Sequence, residues 1–320
     1  MFFKTVKAVA PYIHPEELNF KKAPYEEWVK LGGQTAKAHY PHRLLHGLAF
    51  RYEIPTILKS SKEARLRFVE SVSLSFDTFP DYAHYEIIPF VWDCWPRYFE
   101  KMCHWMKKHQ VRTAIFTSSQ TAERMRQRFP EMNIMYCPEA VDSSLYHQGK
   151  SLKERSIDLL EFGRGSGIDF NENDNKNGSK KICYVCTKVN GKFTYTNSQL
   201  YEAMGDAKVT ITLPRSITQP EIAGDIETLT QRYWECMFSR MLMVGKAPKE
   251  LTELIGYNPV LDMDKEHVCE QILDILAHIE DYQEMVDRNR EIALHLGDWN
   301  IRIHKVITWL QRCGYKTKHA

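Results

Sequence analysis

The chain has no long hydrophobic run. No stretch approaches the ~18 apolar residues of a membrane-spanning helix, so a helical integral membrane protein is excluded. The opening MFFKTVKAVAP is too short, and too interrupted by Lys4 and Lys7, to be a secretory signal. It reads instead as a first strand over Thr5–Ala10. Net charge is nearly absent: 43 Lys and Arg against 41 Asp and Glu leave +2, which carries no general nucleic-acid signal. Repeats and long low-complexity tracts are missing. Eight cysteines are present but irregularly spaced, which argues for reduced thiols in a cytoplasm. The single C-x-x-C, Cys183–Cys186, has no second pair and no histidines at zinc spacing. It also reads as a strand, ICYVCT, in which positions three apart face opposite sides. His42 and His46 lack the glutamate of a His-Glu-x-x-His zinc site, their interior being Arg43-Leu44-Leu45.

What is there fits an ordinary globular protein, with 43% hydrophobic and 26% charged residues. The 320 residues suggest two domains. Strands are expected at Ala49–Leu58, Tyr85–Trp92, Arg112–Thr117, Asn133–Tyr136 and Ile157–Phe162. Tyr85–Trp92 is almost uninterrupted apolar, the pattern of a parallel strand covered on both faces, although Pro89 counts against a central position. Residues 62–70 look helical. Asp93, at the end of the Tyr85–Trp92 run, either faces a ligand beyond the sheet edge or caps the next helix. Ser118 and Ser119 cap a helix over Gln120–Phe129 that carries Arg124, Arg126 and Arg128. That charge reads as a solvated face, with contact to a lipid-linked substrate as the alternative. The alternation of strand and helix gives the α/β class. A polar linker spans Val141–Ser156. Helices are expected near 265–279, 281–296 and 299–312, with Gly297 stopping the second and Asp298 capping the third.

The densest chemistry lies in Glu221–Gly245. A buried strand, Lys208–Pro214, precedes it, and the apolar run Met241–Val244 closes it. Glu227 and Glu235 stand eight positions apart. Thr228 is the expected N-cap of a helix over Leu229–Ser239, with Gln231 completing a capping box. The free amides of Thr228, Leu229 and Thr230 would then offer an anion site. Glu235 would lie ~12 Å further along the axis at ~1.5 Å per residue. A phosphate would sit between two carboxylates, each able to accept from vicinal hydroxyls. A nucleoside diphosphate sugar has hydroxyls at both ends and charge in the middle.

Glu227–Gly245 resembles the E-x7-E segment of retaining GT-B glycosyltransferases of the group-one, or family-four, type. The resemblance runs from about Arg112 to about Asp264 and includes YCPEAVDSSLY (Tyr136–Tyr146) and DLLEFGR (Asp158–Arg164). The sequence ETLTQRYWE followed by MLMVGKAPKELTELIGYNPVLDMD is most similar to a bacterial polysaccharide-biosynthesis branch. The resemblance implies two Rossmann-like domains facing a cleft, with the last helix crossing back to the first domain. The domains would be 1–148 with about 299–320 on the acceptor side, and 149–298 on the donor side. It implies that Arg164 holds the diphosphate, Glu235 the ribose hydroxyls and Glu227 the donor-sugar hydroxyls. It places His42 and His46 on the acceptor side, with Asp93 orienting or deprotonating an acceptor hydroxyl. The lysine that usually follows the arginine is replaced by Ile168-Asp169-Phe170-Asn171, and Arg215 is the substitute cation.

The expected activity is transfer of a sugar from a nucleoside diphosphate donor to a hydroxyl acceptor, with retention at the anomeric carbon. No cofactor and no metal are expected. The expected partners are the nucleotide sugar and a glycan or lipid-linked glycan, without nucleic acid. The expected location is the cytoplasm, with peripheral contact to the inner membrane face left open. A non-catalytic sugar-nucleotide-binding protein and a nucleotide-sugar epimerase are the alternatives.

Overall fold

A computed structural model of the chain describes residues 3–11, 20–38, 62–163, 182–189 and 192–319. The expected strand at Ala49–Leu58, His42, His46 and Arg164 lie outside the described residues. In chain order the elements begin with β1 (Lys4–Val9), α1 (Lys22–Lys30), β2 (Thr35–Ala36) and β3 (Glu63–Glu70). Next come α2 (Leu74–Thr78), α3 (Asp81–His84), β4 (Glu86–Trp92), α4 (Pro96–Lys108), β5 (Thr113–Phe116), α5 (Ser119–Arg128) and β6 (Asn133–Tyr136). After the linker come β7 (Ile157–Glu161), β8 (Tyr184–Cys186), the hairpin β9 (Lys188–Val189) and β10 (Lys192–Phe193), α6 (Asn197–Asp206) and β11 (Ala207–Thr212). Then follow α7 (Arg215–Thr218), α8 (Pro220–Ala223), α9 (Gln231–Phe238), β12 (Leu242–Gly245), α10 (Lys249–Ile255) and β13 (Leu261–Asp262). The chain closes with α11 (Val268–Ala277), α12 (Gln283–Leu296), α13 (Trp299–Arg312) and β14 (Tyr315–Lys316).

These elements form two compact units. The first is Met1–Glu139 with Glu221–Thr228 and Trp299–Ala320, and the second is Ala140–Pro220 with Leu229–Asp298. The eight residues from Glu221 therefore pack with the first unit, although 149–298 was the expected span of the second.

The first unit is built on a parallel sheet of order β14-β1-β3-β4-β5-β6, with β2 also on β1. Every residue of β4 is buried, as its unbroken apolar run implied. Pro89 is tolerated inside this sheet because β5 pairs only with Phe90 and Val91, beyond the missing N–H. The stretch 62–70, expected as a helix, is the strand β3. It pairs with β1 over Glu63–Leu66 and with β4 over Ala64–Glu70, and Ala64, Leu66, Phe68 and Val69 are buried. Its arginines are folded in: Arg67 Nη1 meets Asp81 at 3.1 Å, and the Arg65 guanidinium lies 4.0 Å over the Tyr85 ring. Pairing on both edges outweighs the helical propensity of the segment.

The last helix belongs to this unit. On α13, Trp299, Ile303, Val306, Ile307 and Leu310 are buried on one face at helical spacing. Trp299 meets Trp92 at 5.9 Å, and Trp92 stacks on Phe90 at 4.5 Å. Beyond α13, the Tyr315 hydroxyl donates to Glu86 at 2.7 Å and lies 2.8 Å from Thr113 Oγ1.

The second unit carries a parallel sheet of order β13-β12-β11-β7-β8. The chain starts at β7, moves to β8 on one side, then returns through α6 to β11 on the other. The strand order therefore reverses between β7 and β11. In open parallel sheets ligands bind beyond the carboxyl ends at such a reversal. The helix α9 anchors one face of this sheet with Tyr233, Trp234, Cys236, Met237 and Phe238 buried. Val268, Ile272 and Ile275 of α11 cover the other face with Leu159, Val209 and Val244.

Candidate functional site

Three places in the second unit bear on the site, two at the ends of the strands that flank the β7–β11 reversal and one on α9. β11 leads through Pro214 into α7, whose first residue is Arg215. Arg215 is half-buried, and its Nε donates to Gln219 at 2.9 Å. β7 leads into Phe162 and Gly163. The third is Glu235 on α9, whose Oε1 accepts from the Tyr146 hydroxyl at 3.1 Å. Burial pushes the Glu235 carboxyl above its ordinary range, while Arg232 and the Tyr146 bond pull it back. The Tyr146 phenol is pushed up in turn, by burial first and by the Glu235 charge second. Tyr201 meets the Tyr146 ring edge-on at 5.1 Å and fixes its position.

Arg232 lies one helical turn before Glu235 and was not foreseen. Its Nη1 donates to the Phe162 carbonyl at 2.6 Å, and its guanidinium lies 4.3 Å over the Phe162 ring. Gly163 has φ +72°, and a Cβ there would stand 1.8 Å from Arg232 Nη2. Glycine at 163 is thus required twice, by its backbone and by the guanidinium pressed against it. The i, i+3 relation to Glu235 was the available signal.

The helix end departs from the expected geometry. α9 begins at Gln231 with Thr230 as N-cap, and no side chain caps it. The expected box between Thr228 and Gln231 is absent. The Leu229 N–H instead donates to Glu250 Oε2 at 2.8 Å. Glu250 is buried, and its carboxylate already serves as the anion near the helix entrance. The Leu229 amide is therefore closed to a phosphate while that bond stands. Thr228 falls in the first unit and Thr230 in the second.

Glu227 and Asp93 also belong to the first unit. Residues 221–228 are held there by Ala223 and Ile226, which pack on Trp95. The side chain of Gln120 on α5 bridges the segment, accepting from the Glu227 N–H at 2.8 Å and donating to the Asp225 carbonyl at 3.0 Å. One turn on, Arg124 Nη2 donates to both oxygens of Asp225, at 3.0 and 2.8 Å. Arg126 and Arg128 face Glu123 and Glu100 at 3.2 and 3.7 Å, so each arginine of α5 faces a carboxylate. Asp93 ends β4 with φ +51°. It does not cap α4, whose N-cap is Trp95 with no side-chain bond. Its carbonyl accepts instead from Trp95 N at 2.8 Å and from the Ser71 hydroxyl. Asp93 and Asp77 help to raise the neighbouring Glu70 carboxyl, behind burial as the main cause and against Lys21.

No family model matches the chain, and no curated protein matches it in sequence. Solved structures do match in shape. HepE of Anabaena, solved with UDP-glucose, gives a TM-score of 0.57 at 10% identity, covering 96% of this chain and 99% of its own. The fold is GT-B. AviGT4, a glycosyltransferase involved in avilamycin A biosynthesis, shares the GT-B frame with a TM-score of 0.53 at 12% identity, covering 97% of this chain and 98% of its own. TarM gives 0.52 at 9% identity over 83% of this chain, and the chain spans 57% of TarM's length. Arg215 opens α7 just after β11, and Arg232 of α9 meets Phe162 just after β7, so these two follow the strands that flank the reversal. None of the described helices is long and apolar enough to cross a membrane. Among the described residues no cluster of three His, Cys, Asp or Glu is placed to hold a metal ion.

Proposed function

We propose that this chain transfers a sugar from a nucleoside diphosphate donor to a hydroxyl acceptor. The observation that carries the proposal is the pairing of Glu235 with Tyr146 in a GT-B unit whose sheet reverses its strand order between β7 and β11. That HepE was solved with UDP-glucose supports the donor class. In the reaction the bond from the anomeric carbon to the leaving diphosphate breaks, and a bond from the acceptor oxygen forms. The acceptor proton passes to the departing diphosphate oxygen, so no separate protein base is required. Arg215 and Arg164 neutralise the charge that develops on the diphosphate. The oxocarbenium character at the anomeric carbon matches that of glycoside hydrolysis. Glu235 accepts from the ribose hydroxyls and Glu227 from those of the donor sugar, while Asp93 orients the acceptor. The scheme is retaining and uses side-chain cations in place of a metal. The acceptor class is a glycan or lipid-linked glycan of bacterial polysaccharide or glycoconjugate synthesis. The setting is the cytoplasm or the inner membrane face.

The test is a thermal-shift screen with UDP, GDP, ADP and their sugars, with and without EDTA. A ligand that binds the folded state raises its melting temperature by mass action. One nucleotide should raise it, without sensitivity to EDTA, and Glu235→Ala should abolish the shift. Glu227→Ala should retain the shift and lose sugar transfer. Folded protein that responds to none of the nucleotides would overturn the donor site.

A further inference from the structure

Arg232 is a half-buried cation whose surroundings do not account for its charge. Among the described residues its one hydrogen bond goes to the Phe162 carbonyl, and no carboxylate lies within ion-pair distance. Glu235, on the same helix, is near enough to feel the charge but bonds to Tyr146 instead. A guanidinium carries five N–H donors in a planar fork. The carbonyl of Phe162 uses one of them and fixes the plane of the rest. Partial burial raises the cost of an uncompensated charge, and that cost is recovered when an anion arrives.

The position also matters. Arg232 rests on Phe162 and Gly163, where β7 leaves the sheet beside the strand-order reversal. The nearby Leu229 amide is taken by Glu250, so the helix entrance offers an anion less than its dipole would suggest. Arg232 precedes Glu235 by three residues, ~4.5 Å along the axis at ~1.5 Å per residue. A nucleotide has the same order of groups over one such step, ribose hydroxyls and then the 5′-linked phosphate.

We infer that Arg232 is a diphosphate-binding residue, placed by Gly163 and Phe162 so that the phosphate attached to the ribose meets its free N–H edge. The inference rests on the proposed donor site and adds to it a cation that the E-x7-E spacing does not specify. Gly163 acts as a positioning residue, since any side chain there would displace the guanidinium.

The experiment is calorimetric titration of wild type, Arg232→Met and Arg232→Lys with UDP, GDP and ADP and with the matching nucleosides, at low and high salt. Arg232→Met keeps the apolar stem over Phe162 and removes the charge. It should weaken the nucleoside diphosphate by about tenfold or more, leave the nucleoside within about twofold, and flatten the salt dependence. Arg232→Lys should fall between Met and wild type, and it carries the comparison if the Met protein does not fold. Equal affinity of wild type and Arg232→Met for the diphosphate would overturn the inference and leave the donor site standing. Parallel losses of nucleoside and diphosphate, with a lowered melting temperature, would also overturn it, by assigning Arg232 to support of the Phe162 backbone. A wild type that binds no nucleotide would overturn both.

Discussion

Glu235 is a carboxyl group whose hydrogen-bond donor, Tyr146, is itself held in an aromatic contact. Its folded pKa lies above its unfolded value near 4.5, chiefly through burial. The sign of the linkage follows. The folded state favours the proton, so the contribution of this group to stability is complete below about pH 4.5 and is lost as pH rises through the raised value. Glu235→Gln cannot ionise and does not suffer that loss. Its unfolding free energy, relative to wild type, should therefore rise between about pH 4.5 and neutrality. Urea unfolding at the two pH values measures this, and Glu70, which is also raised, is common to both proteins and cancels. A constant difference across the range would mean that folding does not raise the Glu235 pKa. The sequence singled out Glu235 because its spacing from Glu227 is a local pattern. Tyr146 and Arg232 were not legible as a group. Tyr146 is 89 positions away from Glu235, and the meaning of Arg232 depends on Phe162, 70 positions away.

At the scale of elements, two Thr-x-x-Gln sequences met opposite fates. Thr196 and Gln199 form a complete capping box at the start of α6. Thr228 and Gln231 do not, because Glu250 takes the Leu229 amide and the helix starts two residues later than that spacing implied. Local sequence cannot distinguish them, since the deciding carboxylate comes from α10. Thr196→Ala should cost ~1 kcal/mol in a denaturant midpoint, whereas Thr228→Ala should show no capping loss. Equal costs for the two substitutions would contradict the described helix start. The same limit applies to β3, whose Glu, Arg and Leu content favours a helix until β1 and β4 claim both of its edges. Strands such as β4 and β5 were legible because burial on both faces leaves an apolar run that needs no partner to be recognised.

At the scale of the whole molecule, the GT-B class and the return of the last helix to the first unit could be read from the chain, while the excursion of residues 221–228 could not. Trp299 links α13 to Phe90 and Trp92 of the first unit and makes no part of the second core. Trp299→Ala should cost about 3–5 kcal/mol in the first unit alone. Urea unfolding should then separate into two transitions, with the later one unchanged from wild type. A single transition shifted as a whole would show that the two cores unfold together.

The Val141 N–H donates to the Gly297 carbonyl at 2.9 Å, and both residues belong to the second unit. The strand of chain that enters this unit and the one that leaves it are thus bonded to each other at its threshold. In topological terms the second unit is a loop spliced into the first, its two ends already joined and residues 221–228 returned to its host. The first unit joins the more distant segments: its β1 waits for β14, 311 positions later, as Lys4 finds Tyr315. During synthesis the inserted loop has all of its residues before its host does. The part of the molecule that begins the chain is therefore the part that must finish last.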